Sequence, residues 1–215
     1  MKTCKLLREQ VAAATGSKKA ELVLKNAQIV NVFTQSVETG DIAIEGGYIV
    51  GIGNYEGITE KDLGGAYVCP GFLDGHIHIE SSMTSPGEFE RAVVPHGTIA
   101  VITDPHEIAN VAGTAGIRFM MQSAQKLDLD VYFMLPSCVP ATDLDESGAE
   151  LLARDLEPFY ADEKVLGLAE MMNAFGVTHG DKGCFEKLVQ ARSLKKAIDG
   201  HAPALSGKEL NAYVT

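Results

Sequence analysis

The rhythm of apolar and polar positions changes near residue 70. Over residues 21–53, short β-rich runs alternate with turn residues. Leu22-Val23-Leu24 is closed by Asn26, and Ile29-Val30-Asn31-Val32 by Thr34-Gln35. Ile42-Ala43-Ile44 then leads through Gly46-Gly47 into Tyr48-Ile49-Val50-Gly51-Ile52. A Gly-Gly pair between two such runs predicts a hairpin. Ahead of them, Leu6, Leu7 and Val11 within residues 1–16 suit a short amphipathic helix.

From Pro70-Gly71 onward the pattern predicts strands at 72–79, 98–104, 129–135, 165–170 and 196–201. Helices are predicted at 86–96, 114–126, 147–160 and 184–192, with another opening at Gly207. Regular alternation of this kind argues for a parallel sheet covered by helices. An open doubly wound sheet would alternate as well, but no Gly-x-Gly-x-x-Gly loop follows the first strand. Ionisable residues instead fall at the C-terminal ends of strands: His76, His78, Asp104, Glu170 and His201. In a (β/α)8 barrel those ends share one face, where catalytic groups gather.

The expected fold is therefore α/β: a partial (β/α)8 TIM barrel of about strands 1–5, preceded by part of a small β-sandwich. Residues 1–20 are expected as an N-terminal helix or extension, 21–69 as the partial sandwich, and 70–215 as the truncated barrel. Residues 71–215 number 145, against ~250 for a typical barrel. The expectation is an N-terminal fragment of a longer enzyme.

Composition narrows the function classes. The 215 residues carry 18 Lys and Arg against 29 Asp and Glu, a formal charge of -11. Nucleic acid needs a basic footprint, and none is visible, so no nucleic-acid partner is expected. No apolar run approaches the ~20 residues that span a bilayer, and the N-terminus lacks a secretory core, so no membrane partner is expected either. Cys4, Cys69, Cys138 and Cys184 form no Cys-x-x-Cys pair, which suits reduced thiols in a cytoplasmic protein.

The densest chemistry is Pro70-Gly71-Phe72-Leu73-Asp74-Gly75-His76-Ile77-His78. Side chains alternate along a strand, so His76 and His78 point the same way and make a ready pair of metal ligands. Thr103-Asp104-Pro105-His106-Glu107 packs two carboxylates and an imidazole into four residues. That cluster reads either as active-site groups or as a helix start with Asp104 and Pro105 opening the turn. Glu80, Ser82 and Met83 follow the His pair; they line a pocket, or Ser82 starts the next helix. Ser137, Asn173 and His179 are weaker candidates, and His96 reads as a helix-end residue.

These motifs resemble the amidohydrolase superfamily, whose members use a barrel with one or two divalent metals and often a flanking β-sandwich. The resemblance implies metal ligands at His76, His78, Glu170 and His201. Many two-metal members carry a carbamylated lysine where this sequence has Glu170, and the glutamate points to the adenine deaminase branch. So do Asp104-Pro105-His106-Glu107 and Leu210-Asn211-Ala212-Tyr213. The implied reaction is hydrolysis of adenine to hypoxanthine and ammonia, with Mn or Fe as the active metal and Zn also acceptable. Two ions are implied, with Glu170, Asp104 and Glu107 as catalytic candidates and Glu80, Ser82 and Met83 against the substrate. Asp104, His106 and Glu107 would orient the ligands or hold an extra ion. A sixth-strand histidine and an eighth-strand aspartate complete the family's set and are not in this sequence. The chain alone is therefore expected to be inactive or nearly so, and the full-length protein to be a homo-oligomer. Another amidohydrolase acting on a cyclic amide or guanine-type ring, or an inactive remnant binding a purine or a partner, are the other readings.

Overall fold

The computed structural model describes residues 3–142 and 144–215. It divides into two compact units, one ending at Pro70 and one running Gly71–Thr215. Among the described residues no helix is long and apolar enough to cross a membrane.

The first unit opens with helix α1 (Cys4–Ala14), capped by Thr3, whose hydroxyl accepts the Leu6 N–H. The start of the expected helix, Met1 and Lys2, lies outside the described residues. The helix turns a different face inward from the one its leucines suggest. Gln10 and Ala13 are buried, while Leu7 and Val11 are exposed. The Gln10 amide donates to the Glu45 carbonyl at 3.3 Å, and that bond makes its burial tolerable.

Five strands form one sheet: β1 (Ala20–Asn31), β2 (Ser36–Glu45), β3 (Tyr48–Gly53), β4 (Gly57–Asp62) and β5 (Tyr67–Val68). The order is β3-β2-β1-β4, with β5 also on β1; β1-β2 and β2-β3 are antiparallel, and β4 and β5 run parallel to β1. The predicted Gly46-Gly47 hairpin is present, with φ of 59° and 77°, values that favour glycine. Asn26 does not end a strand as expected. It sits in the left-handed region (φ 57°) at a register shift, and the Asp41 carboxylate accepts its N–H at 3.1 Å, so β1 runs through the kink. Strand β4 escapes the hydrophobic pattern because only Gly57 in it is buried.

This unit carries a pH-dependent clamp. The Lys18 ammonium, 2.7 Å from Glu45, holds that carboxyl below the usual range, and the Glu21 N–H adds to it against the opposing effect of burial. A depressed folded-state pKa stabilises the fold above the unfolded value of about 4.3, and the gain is lost as pH falls through the depressed value. Chemical denaturation followed at Tyr48 and Tyr55 should show a midpoint that drops on acidification below about pH 4. In Glu45→Gln the drop should be smaller.

The second unit is a curled parallel sheet. Strands β6 (Phe72–Ile77), β7 (Thr98–Thr103), β8 (Asp130–Leu135), β9 (Val165–Met171) and β10 (Ala197–Gly200) stand in sequential order, each parallel to the next. Between them run α2 (Pro86–Val93), α3 (His106–Ala124), α4 (Ala153–Leu156), α5 (Ala174–His179) and α6 (Lys182–Ser193), and α7 (Gly207–Val214) follows β10. This is the partial barrel expected. Its core joins strand residues Val101, Phe133, Leu135 and Leu168 to helix residues Ile117, Met120 and Ala191.

Two helices differ from expectation in extent, and α5 lies where no helix was expected. Helix α3 starts at His106 rather than near 114, because a break at Gly113 (φ 57°, ψ -139°) interrupts its apolar period. The helix expected over 147–160 shrinks to α4 and a 3-10 turn (Glu157–Ala161). Ahead of it residues 147–152 form neither helix nor strand and run as a strap. The Gly148 N–H donates to the Asn110 carbonyl (2.8 Å) and the Leu151 N–H to the Val139 carbonyl (2.9 Å), bonds that a helix would have used internally.

Candidate metal centre

Five strand ends deliver the candidate side chains to one face of the half-barrel. His76 lies in β6 and His78 just beyond it, and their Nε2 atoms approach to 3.0 Å. Glu170, near the end of β9, stands between the imidazoles: its Oε1 is 3.5 Å from His76 Nε2 and its Oε2 is 3.5 Å from His78 Nε2. His201, just past β10, places Nδ1 3.0 Å from Glu170 Oε1. Of the four residues expected to share a cation, the three histidines therefore surround the carboxylate of the fourth, Glu170, which is only 13% exposed.

A second set adjoins the first. One donor atom each from His78, Asp104, His106 and Glu170 lie within 4.8 Å of one another. Asp104 does not cap α3; Pro105 stands at that position, and Asp104 Oδ2 instead binds His106 Nδ1 at 3.0 Å. The Asp104 carbonyl meets His78 Nδ1 at 3.0 Å, which leaves Nε2 of His78 to face Glu170. Burial pushes the Asp104 carboxyl up, against the pull of His106. Burial opposes the charged form of His106, yet the Asp104 bond and charge outweigh it and raise its pKa. Glu107 Oε2 is 3.3 Å from His78 Nδ1, and its Oε1 accepts the Ser81 hydroxyl at 2.6 Å.

The remaining candidates divide. Glu80 accepts the Ile108 N–H through Oε1 (3.3 Å), has Oε2 buried with no hydrogen-bond partner among the described residues, and has its pKa raised by burial. Ser82 closes the 3-10 turn Ile79–Ser82 and does not start α2, whose cap position is Ser85. Met83 follows at φ 53° and is 95% exposed. The Ser137 hydroxyl donates to the Glu170 carbonyl. Asn173 is the cap of α5, accepting the Gly176 N–H at 2.7 Å, and His179 stacks on Phe175 with its Nδ1 against the Phe175 carbonyl. His96 ends a 3-10 turn before Gly97, the helix-end place expected of it.

Asp199 carries no role in the sequence reading, yet its Oδ2 lies 3.5 Å from His76 Nδ1. The signal was its spacing: Asp199 and His201 are two apart at a strand end and so share a face.

The donor set fits a divalent cation. Imidazole nitrogen with carboxylate oxygen suits Mn, Fe or Zn. Asp104 Oδ1 is buried with no hydrogen-bond partner among the described residues, a costly arrangement unless a cation covers it. Two imidazole Nε2 atoms at 3.0 Å, backed by a carboxylate, form a pair of facing lone-pair donors.

Comparison with known proteins places this geometry. The chain is 54% identical over 210 residues to "Adenine deaminase 2" of Carboxydothermus hydrogenoformans, covering 98% of this chain and 36% of that protein. It is 54% identical over 207 residues to "Adenine deaminase" of Clostridium acetobutylicum, covering 96% and 36%. The chain thus spans about a third of the length of these relatives. Among solved structures, a dihydroorotase superposes with a TM-score of 0.56 at 20% identity, covering 90% of this chain and 55% of that one. N-isopropylammelide isopropylaminohydrolase from Burkholderia multivorans gives 0.57 at 18% identity, covering 89% and 55%. At such identities they share the fold. The model of the amidohydrolase family matches residues 67–215. That match spans the whole half-barrel and every donor described above, and it makes this chain a member of the amidohydrolase family.

Proposed function

We propose that this chain supplies the larger part of a two-metal adenine deaminase site, for hydrolysis of adenine to hypoxanthine and ammonia. The observation that carries the reading is the Glu170 carboxylate, with one oxygen turned to each histidine of the His76/His78 pair and His201 on its flank. Its relatives' names supply the substrate, a small molecule.

In this reading His76, His78, His201 and Glu170 would hold the divalent metal, two ions in all, through imidazole nitrogens and carboxylate oxygens. Mn or Fe is the working metal, and Zn is also accepted by such donors. When bound, the metal supplies Lewis acidity and water acidic enough to act as nucleophile near neutral pH. Asp104 fixes the His106 ring, and the Asp104 carbonyl fixes that of His78. Asp104, His106 and Glu107 orient the ligand histidines or hold a further ion. Glu107, braced by Ser81, offers an oxygen for proton transfer as ammonia departs, while Glu170 acts through the metal it would hold. Glu80, Ser82 and Met83, on the loop after His78, face the substrate. In the same reading residues 21–69 belong to the flanking sandwich and residues 70–215 to the barrel, in a cytoplasmic homo-oligomer.

A chimera tests the substrate. This chain, grafted in place of the matching part of the Clostridium acetobutylicum relative, is expected to release ammonia from adenine and to leave guanine and hydantoin unchanged. A folded, metal-loaded chimera that hydrolyses hydantoin or guanine in preference to adenine contradicts the reading. The 215-residue chain alone is expected to release little ammonia.

A further inference from the structure

We infer that Tyr213 is a positioning residue that sets the distance between Glu170 and His201. The inference rests on the reading of those two residues as ligands of a shared cation. Tyr213 lies in α7, in the Leu210-Asn211-Ala212-Tyr213 stretch that carries the family resemblance but to which no chemical role is assigned. Its hydroxyl donates to the Met171 carbonyl at 2.7 Å and accepts the His201 N–H at 2.9 Å. Met171 directly follows Glu170 at the end of β9, and His201 directly follows β10. One oxygen therefore ties together the two strand ends that carry the two ligands.

The tether sits where the sheet no longer does this work. The β9–β10 register slips between Ile198 and Gly200 and ends at Gly200 opposite Met171. Beyond that point ladder bonds do not fix His201, and its side chain is 50% exposed, so packing does not fix it either. Glu170 is held from the opposite flank, where its carbonyl accepts the Ser137 hydroxyl and the buried Lys187 ammonium binds the Ser137 carbonyl at 2.7 Å. Gly200 lets the phenol in: a Cβ there would lie 3.1 Å from the Tyr213 oxygen. The product of these contacts is the 3.0 Å approach of His201 Nδ1 to Glu170 Oε1.

Tyr213→Phe keeps the ring and removes both bonds. Three measurements on this chain separate the roles: amide hydrogen exchange without metal, a Co(II) binding isotherm, and thermal unfolding. In the variant, exchange at His201 should rise about tenfold and Co(II) affinity should fall about tenfold, the lower end of the effect of groups that orient ligands. The melting temperature and exchange in the centre of β9 should stay at wild-type values. Unchanged exchange at His201 with unchanged Co(II) affinity overturns the proposal, as does faster exchange spread evenly over β9 and β10, which marks general loosening. If the wild-type chain binds no Co(II), the ligand reading fails by itself. Exchange at His201 still decides whether Tyr213 holds the two strand ends together.

Discussion

Glu170→Gln is expected to weaken divalent-metal binding by roughly a hundredfold or more, beyond the 10–100-fold seen when only a group orienting a ligand is removed. The carboxylate presents Oε1 and Oε2 to two different imidazoles at 3.5 Å each, and Oε1 also meets His201 at 3.0 Å. An amide of the same shape offers one oxygen and one NH2, so it cannot put an anionic oxygen on each side. It also removes the charge that offsets a dication in a site lined by three imidazoles. Isothermal titration of the chain with Mn(II) checks the affinity, and circular dichroism checks that the fold is kept. In the chimera, ammonia release from adenine should fall in parallel. Wild-type affinity in a folded Gln variant would remove Glu170 from the ligand set.

Leu168→Ala should destabilise the second unit by about 2–5 kcal/mol, the range for truncating a buried leucine. Leu168 is fully buried in the main core, two residues before Glu170 in β9. The loss combines transfer of the removed atoms with the cavity left behind. A domain commonly holds only about 5–15 kcal/mol in all, so the midpoint of a urea titration should move plainly at unchanged slope. A shift below about 0.5 kcal/mol, the size of a typical surface substitution, would mean that the strand is not packed as described.

What was legible in the sequence follows from how each feature is encoded. Strands β7 to β9 announce themselves as short, largely buried apolar runs, whereas β6 and β10 are mostly exposed and were legible from their place in the strand–helix alternation; ionisable residues break the pattern at the C-terminal ends of β6, β7, β9 and β10. His76, His78, Glu170 and His201 could be read because each sits at such a break. The hairpin at Gly46-Gly47 was readable because two consecutive positive φ values leave few residue choices. Strand β4 was not, since its side chains face solvent and pairing with β1 is a backbone matter. The strap over 147–152 was mistaken for helix because its bonds run to Asn110 and Val139, partners that local pattern does not contain. Gln10 shows the same limit: its burial is set by a carbonyl 35 residues away. Asp199 was passed over, and Tyr213 was read only as part of a family-like stretch without a role, because their partners, His76 and the backbone at Met171 and His201, meet them only in the folded sheet.

Low-temperature electron paramagnetic resonance of the anaerobic chain titrated with Mn(II) examines the shared carboxylate itself. A pair of ions bridged by Glu170 predicts an exchange-coupled spectrum near two equivalents, lost in Glu170→Gln. Isolated six-line signals at every loading, or no bound manganese at all, would contradict a common cation pocket at His76, His78, His201 and Glu170.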